Sequence, residues 1–238
     1  MKNLQQQRVL IIGGNTGMGL ATAQRLALAG AEVIIAGRSQ AKLDAALATI
    51  KGIASAYTVD FSSEESLQNL FARVGHIDHL VVTASSSAAW GSIRDIDGAA
   101  LLKAFEQKAV GYWRSIRAAL PMLRKDGSIT LLSGAASRTA IANTAGLAAV
   151  NGAITQMAQT LSHELAPLRV NVISPGLIDT PAYDDLPADA KAGLFADIAK
   201  NLLVGRTGHS DEVVDAIEFV ISNGFTTNAL IDVDGGAR

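Results

Sequence analysis

The sequence predicts a single-domain α/β fold: a doubly wound sheet of about seven mostly parallel strands with helices on both faces. Short apolar runs alternate with Ala/Leu-rich helical stretches, which implies helical crossovers between parallel strands. The runs VLII, VIIA and HLVV are continuously apolar, as strands covered on both sides should be. The 238 residues suit one large domain, and no repeat, low-complexity tract or linker divides them.

Arg8–Ile12 reads as the first strand, followed by a Gly-rich turn and a helix from about Gly17 to Ala29. Gly30 stands where a helix C-cap belongs. Strand Val33–Ala36 leads to a helix near Gln40–Ile50, and strand Ala54–Val59 to a helix over Ser63–Arg73. Strand His79–Thr83 precedes one long helical stretch, Gly98–Leu123; strand Ser128–Leu132 precedes another, Thr144–Leu165. Strand Arg169–Ile173 runs into Pro175-Gly176, and Thr180 to about Thr207 reads as polar and irregular. Helix Asp211–Ser222 and strand Ala229–Val233 complete the order.

Composition excludes several function classes. A formal charge of -2 argues against a basic nucleic-acid footprint. With no cysteine there is no disulfide framework, thiolate metal site or thiol catalysis. His76, His79, His163 and His209 show no metal-cage spacing, so no metal is expected. The segment MKNLQQQRVL lacks the apolar stretch of a signal peptide, and no run is long enough to span a membrane. The expectation is a cytoplasmic protein with a small-molecule substrate and neither nucleic acid nor membrane as partner. The chain is 49% hydrophobic yet only 5% aromatic, leaving the core to aliphatic and small side chains.

Gly13-Gly14-Asn15-Thr16-Gly17-Met18-Gly19 lies between the first strand and first helix. Glycines there let the backbone approach a pyrophosphate held at the helix N-terminus, as in a Rossmann-type fold. A tight strand-to-helix turn needs glycine too, so position in the chain supports the phosphate reading more than the triad does. The Gly-x-x-x-Gly-x-Gly spacing resembles the short-chain dehydrogenase/reductase family. Further matches follow in order: Asp60 after the third strand, Asn171-Val172-Ile173-Ser174-Pro175-Gly176, Thr180, and Val233-Asp234-Gly235-Gly236. The resemblance covers essentially the whole chain. It implies a nicotinamide cofactor held by Gly13, Asn15, Thr16, Gly17, Met18, Gly19, Asp60, Phe61, Ala84, Ser85, Pro175, Gly176, Ile178 and Thr180. Residues 180–207 become a substrate-covering segment, and the two long helices imply a homodimer or homotetramer.

The second strand ends in Ala36-Gly37-Arg38-Ser39, with no carboxylate for a ribose 2′-hydroxyl. Arg38, seconded by Ser39, offers a charge-assisted fork for a 2′-phosphate. NADP(H) is therefore expected over NAD(H); the alternative is an ordinary surface arginine.

Proton transfer is where the resemblance breaks. The family's Tyr-x-x-x-Lys pair falls on Leu147 and Asn151, its catalytic serine on Gly134 and its helical asparagine on Lys108. After the fourth strand the family's Asn-Asn-Ala-Gly is Val82-Thr83-Ala84-Ser85. Leucine donates no proton and asparagine carries no charge. Replacement candidates are Ser133, one residue before the serine position, Lys108 and Tyr183; Tyr57 and Tyr112 read as packing residues. Arg138 and Asn143, in the loop before the altered helix, suit a surface role better than ligand contact. Three functions are compatible with this pattern: an NADP(H)-dependent oxidoreductase with non-standard proton transfer, a redox-inactive NADP(H)-binding sensor or scaffold, or a non-redox enzyme on the same fold.

Overall fold

The computed structural model describes residues 4–237. In chain order it contains β1 (Arg8–Ile12), α1 (Gly17–Leu28), β2 (Glu32–Gly37), α2 (Gln40–Leu47), β3 (Ala54–Thr58), α3 (Glu64–Val74) and β4 (Ile77–Val82). There follow α4 (Gly98–Phe105), α5 (Gly111–Ala119), β5 (Leu123–Leu132), α6 (Ala145–Glu164) and β6 (Arg169–Pro175). The last elements are β7 (Ile178–Asp179), α7 (Ala188–Ala199), β8 (Gly208–His209), α8 (Ser210–Ser222) and β9 (Leu230–Val233).

Seven strands form one parallel sheet in the order β3-β2-β1-β4-β5-β6-β9. Successive side chains of a strand leave on opposite faces, and here both faces are covered. Leu10, Ile12 and Ile34 pack with Leu67, Phe71, Ile116 and Val150 of α3, α5 and α6. Val9, Ile11, Val33 and Ile35 pack on the other side with Leu26, Leu43, Val213 and Ile217 of α1, α2 and α8. That is why VLII carries no polar residue: each position faces one core or the other. Burying such a side chain stabilises by roughly 1.5–3 kcal/mol. This is the Rossmann-like single domain that the sequence predicts.

Helix ends follow local chemistry. The Ser63 hydroxyl accepts from Ser66 N at 3.2 Å, opening α3 with Glu64 and Glu65 in its first turn. Glu212 accepts from His209 N at 2.9 Å at the start of α8. At the far end of α8, the Arg169 guanidinium donates to the carbonyls of Val220, Ile221 and Thr226.

Two expectations need correction. The stretch 98–123 is not one helix. It is α4, a π-helical turn at Glu106–Val110, then α5, and β5 already begins at Leu123. The wide turn brings Gly111 so close to Phe61 that a Cβ would lie 2.3 Å from the ring. Residues 180–207 are not irregular throughout, because α7 occupies their middle. Its alanines favour helix even though no residue of it is buried. Finally, β7 and β8 form a small second sheet (Ile178↔Gly208, Asp179↔His209) that tethers the two ends of this segment.

His79 in β4 is buried, with Nδ1 2.7 Å from Ser128 Oγ and Nε2 2.9 Å from Gln7 Oε1. Burial is the main reason its pKa is pushed down to about 4 from 6.5. Between those values the unfolded chain binds a proton that the folded one refuses. Stability therefore falls as pH drops from about 6.5 towards 4. Between pH 7 and 4.5 this one residue should cost about 2 kcal/mol. Urea unfolding at both pH values is expected to show that extra loss in the native chain, and its absence in His79→Gln.

Candidate active site

The chain builds outward from β1 through β2 to β3, then crosses back to lay β4 on β1's other side. At such a switch point the loops leaving the strand ends diverge and open a crevice. The Gly13–Gly19 turn leaves the end of β1 at this switch point. Thr83 N donates to Ile12 O at 2.9 Å and Gly13 N to Ala36 O at 2.8 Å, tying the ends of β1, β2 and β4 together. A Cβ at Gly19 would lie 2.2 Å from Gly13 O, so only glycine lets α1 start this close to β1. Gly17 adopts φ +53°, and a Cβ there would point across a gap to the Thr180 side chain, 3.6 Å away. Thr16 makes no side-chain cap bond, which leaves the first amides of α1 facing this gap without a side-chain acceptor.

The other residues expected around a cofactor take varied positions. Asn15 lies over Gly37, where a Cβ would be 2.6 Å from its Oδ1. Met18 O accepts from Thr22 Oγ1 at 2.7 Å. Arg38 is exposed at the end of β2, and Ser39 caps α2 by accepting from Lys42 N at 3.4 Å. Asp60 accepts from Ser62 Oγ at 2.6 Å and Ser62 N at 3.0 Å, which holds its carboxyl below the usual range; the Arg38 charge assists. Phe61 packs on Gly111. Ala84 O lies 2.8 Å from the Tyr112 hydroxyl, and Ser85 follows it on the same loop. Gly176, after Pro175, passes against Asp234, where a Cβ would be 2.8 Å from Cα. Ile178 is buried, and Thr180 faces Gly17.

Beside this crevice the π-helical turn aims Lys108 inward. Its Nζ donates to Asn151 Oδ1 at 2.7 Å and Ser133 O at 2.9 Å. Burial pushes its pKa down to about 8. The Ser133 hydroxyl lies 3.0 Å from both Asn151 O and Thr155 Oγ1, so it is turned onto α6. Gly134 has no side chain to offer, and a Cβ there would lie 2.7 Å from Asn151 Nδ2. Leu147 precedes Asn151 by one helical turn on α6. Tyr112 is fully buried, bridges Ala84 O and Leu132 O, and has its phenol pKa driven up by burial. It is a core residue.

Tyr183 meets Trp90 edge-on at 6.5 Å and Phe195 at 5.4 Å between ring centres. Burial raises its pKa, which makes it a weaker acid. Lys191 pins the segment by ion pairs to Asp179 at 3.0 Å and Asp184 at 2.9 Å. A cleft of about 480 Å³ opens alongside, lined by Gly91, Ile93, Ala140, Asn143 and Ala148 among others. Arg138 in that loop reaches Asp232 at 2.6 Å rather than the cleft. Sequence reasoning passed over Trp90 and saw Asn151 only as an uncharged residue at the lysine position; nothing in a linear reading joins a loop tryptophan to residue 183, or an amide on α6 to Lys108.

Among the described residues no group of acidic or histidine side chains is placed to hold a metal. No helix among them is long and apolar enough to cross a membrane.

A family model described as enoyl-(acyl carrier protein) reductase matches residues 12–238. The chain belongs to the short-chain dehydrogenase/reductase family. Short-chain dehydrogenase/reductase ucsE of Acremonium sp is 28% identical over 98% of this chain and 96% of that protein. A solved small-chain dehydrogenase in complex with NADPH is 34% identical, covering 98% of this chain and 99% of the other, at a TM-score of 0.83. MalC reductase/Diels-Alderase of Malbranchea aurantiaca superposes at 0.90 with 25% identity, over 98% and 97% of the two chains. Short-chain dehydrogenase/reductase relatives of this kind make the chain an oxidoreductase by family.

Proposed function

We propose that this chain is an NADP(H)-dependent oxidoreductase acting on a small molecule, with a proton-transfer route that does without the Tyr–Lys pair. The gap between Gly17 and Thr180, entered by a glycine at φ +53° and faced by α1 amides that have no side-chain acceptor, carries the proposal. It suits a pyrophosphate, and Arg38 at the end of β2 suits a 2′-phosphate. The NADPH complex of the 34% identical dehydrogenase supports the same cofactor. When bound, a reduced nicotinamide supplies hydride. This chain's own part is to hold it with Gly17 and Thr180, to cover the substrate with the Trp90–Tyr183–Phe195 ring cluster, and to place the Lys108–Asn151 pair at the crevice wall.

Lys108 takes over as the charged group, Ser133 positions it through its carbonyl, and Tyr183 forms a pocket wall. Leu147 leaves no acid at the end of α6 nearest the cleft, which favours an acceptor that needs little acid, such as an activated double bond. The enoyl-reductase family model agrees with that preference. Exposed Leu102 and Trp113 on the short helices α4 and α5 support a homodimer or homotetramer through that face. A cytoplasmic location fits the same reading.

Titration with NADPH and NADH, followed by a panel of conjugated and simple carbonyls, tests this. Tighter NADPH binding and oxidation of NADPH by a conjugated member are expected. Tight binding without any turnover would favour the sensor reading instead. The reductase/Diels-Alderase neighbour supports one further alternative, substrate conversion with no NADPH consumed.

A further inference from the structure

Lysine has only hydrogens to give, so the amide oxygen of Asn151 must face Lys108 and its Nδ2 must face away. That direction is towards Gly134, where the missing side chain leaves room: a Cβ would already be within 2.7 Å of Nδ2. Nδ2 has no hydrogen-bond partner among the described residues, and it is not one of the fully buried unpartnered atoms, so it keeps some exposed surface of its own. Asn151 as a whole is nonetheless only 7% exposed. An amide whose oxygen accepts from an ammonium is polarised, and its N–H groups become stronger donors. A fixed, polarised donor in a water-poor wall is the arrangement that stabilises developing negative charge.

We propose that Asn151 Nδ2 is the oxyanion donor of this site, a catalytic residue in its own right, and that Lys108 is its positioning and polarising residue. The inference rests on the oxidoreductase reading above. In a conjugated carbonyl substrate, hydride from the reduced nicotinamide forms the new C–H bond at the β-carbon. The C=C pair shifts to make an enolate, whose oxygen Asn151 Nδ2 holds, and water then protonates the α-carbon. The hydroxide left by that water would balance the positive charge that hydride loss leaves on a bound nicotinamide. No acidic side chain is needed at position 147, because an enolate is a much weaker base than the alkoxide left by reducing a simple ketone.

A chromophoric phenol, 4-nitrophenol, tests the site without turnover. Its absorbance reports ionisation, and a phenolate oxygen mimics the enolate. In the full chain saturated with NADP⁺, the bound phenol is expected to ionise about tenfold more readily than in water, one pKa unit. Asn151→Leu should abolish the shift and Lys108→Met should reduce it. Asn151→Asp keeps the pairing with Lys108 and so guards against a folding failure; it should reverse the shift. No shift in the native chain, or the same shift in Asn151→Leu, overturns the proposal. So does an Asn151→Leu variant that loses NADP⁺ affinity instead, which would place Nδ2 on the cofactor ribose. NADPH binding, measured separately by fluorescence, keeps the two readings apart. Its absence overturns the cofactor reading, whereas intact binding with no phenolate preference overturns this inference alone.

Discussion

Arg38→Glu is expected to weaken NADPH about 100-fold while changing NADH affinity no more than a few-fold. Arg38 is exposed and has no ion-pair partner among the described residues, so removing it should cost the fold little. A charge-assisted hydrogen bond to phosphate contributes about 1.5–3 kcal/mol. The substituted glutamate would add repulsion from the same phosphate, and Asp60, already ionised and in the field of residue 38, adds more. A total near 3 kcal/mol corresponds to about two powers of ten. Isothermal titration with both cofactors reads it out. Equal losses for NADPH and NADH would show that Arg38 does not meet the 2′-phosphate, and tighter NADH binding by the native chain would remove the NADP(H) assignment altogether.

Asn151→Lys is expected to be strongly destabilising alone and tolerated with Lys108→Asn. Residue 151 sits 2.7 Å from the Lys108 ammonium, which burial already disfavours. A second ammonium there leaves two buried like charges without a carboxylate, costing about 3–5 kcal/mol. For a domain of this size that is roughly 10 °C in Tm. The double exchange returns one ammonium and one amide to the same pair of helices, now in opposite places. Thermal unfolding of both single variants and the double should give a coupling energy above about 2 kcal/mol. Additive effects would mean that the pair does not form. Gly134→Ser belongs in the same background, because its Cβ would press on Asn151 Nδ2 at 2.7 Å. Adding Leu147→Tyr to Lys108→Asn, Asn151→Lys and Gly134→Ser should confer reduction of simple carbonyls; no gain would show that the substrate side has diverged too.

The strands were legible because doubly covered strands are mostly apolar: β1 and β2 state this in four consecutive letters each and β4 in three, its buried His79 being satisfied by hydrogen bonds. The Gly-rich turn was legible for a related reason. Turn geometry and close approach permit only glycine at Gly19, and such requirements are local in the chain. Helix continuity was not legible: a π-helical turn uses the same residue types as an α-helix, and what opens it, Phe61 against Gly111, comes from a distant loop. Nor was α7, whose half-polar face resembles a loop until its ends are tied by β7 and β8.

The sequence by itself determined the sheet, its crossovers, the Gly-rich turn and the residues standing at each family position, since all of these depend on neighbours within a few residues. Only the tertiary structure decided what Lys108, Ser133, Gly134 and Asn151 do together. They lie on three separate elements, and hydrogen bonds of 2.7–3.0 Å set the direction in which each polar atom points. Direction is what separates a buried lysine from one that polarises an amide, and no one-dimensional spacing encodes it.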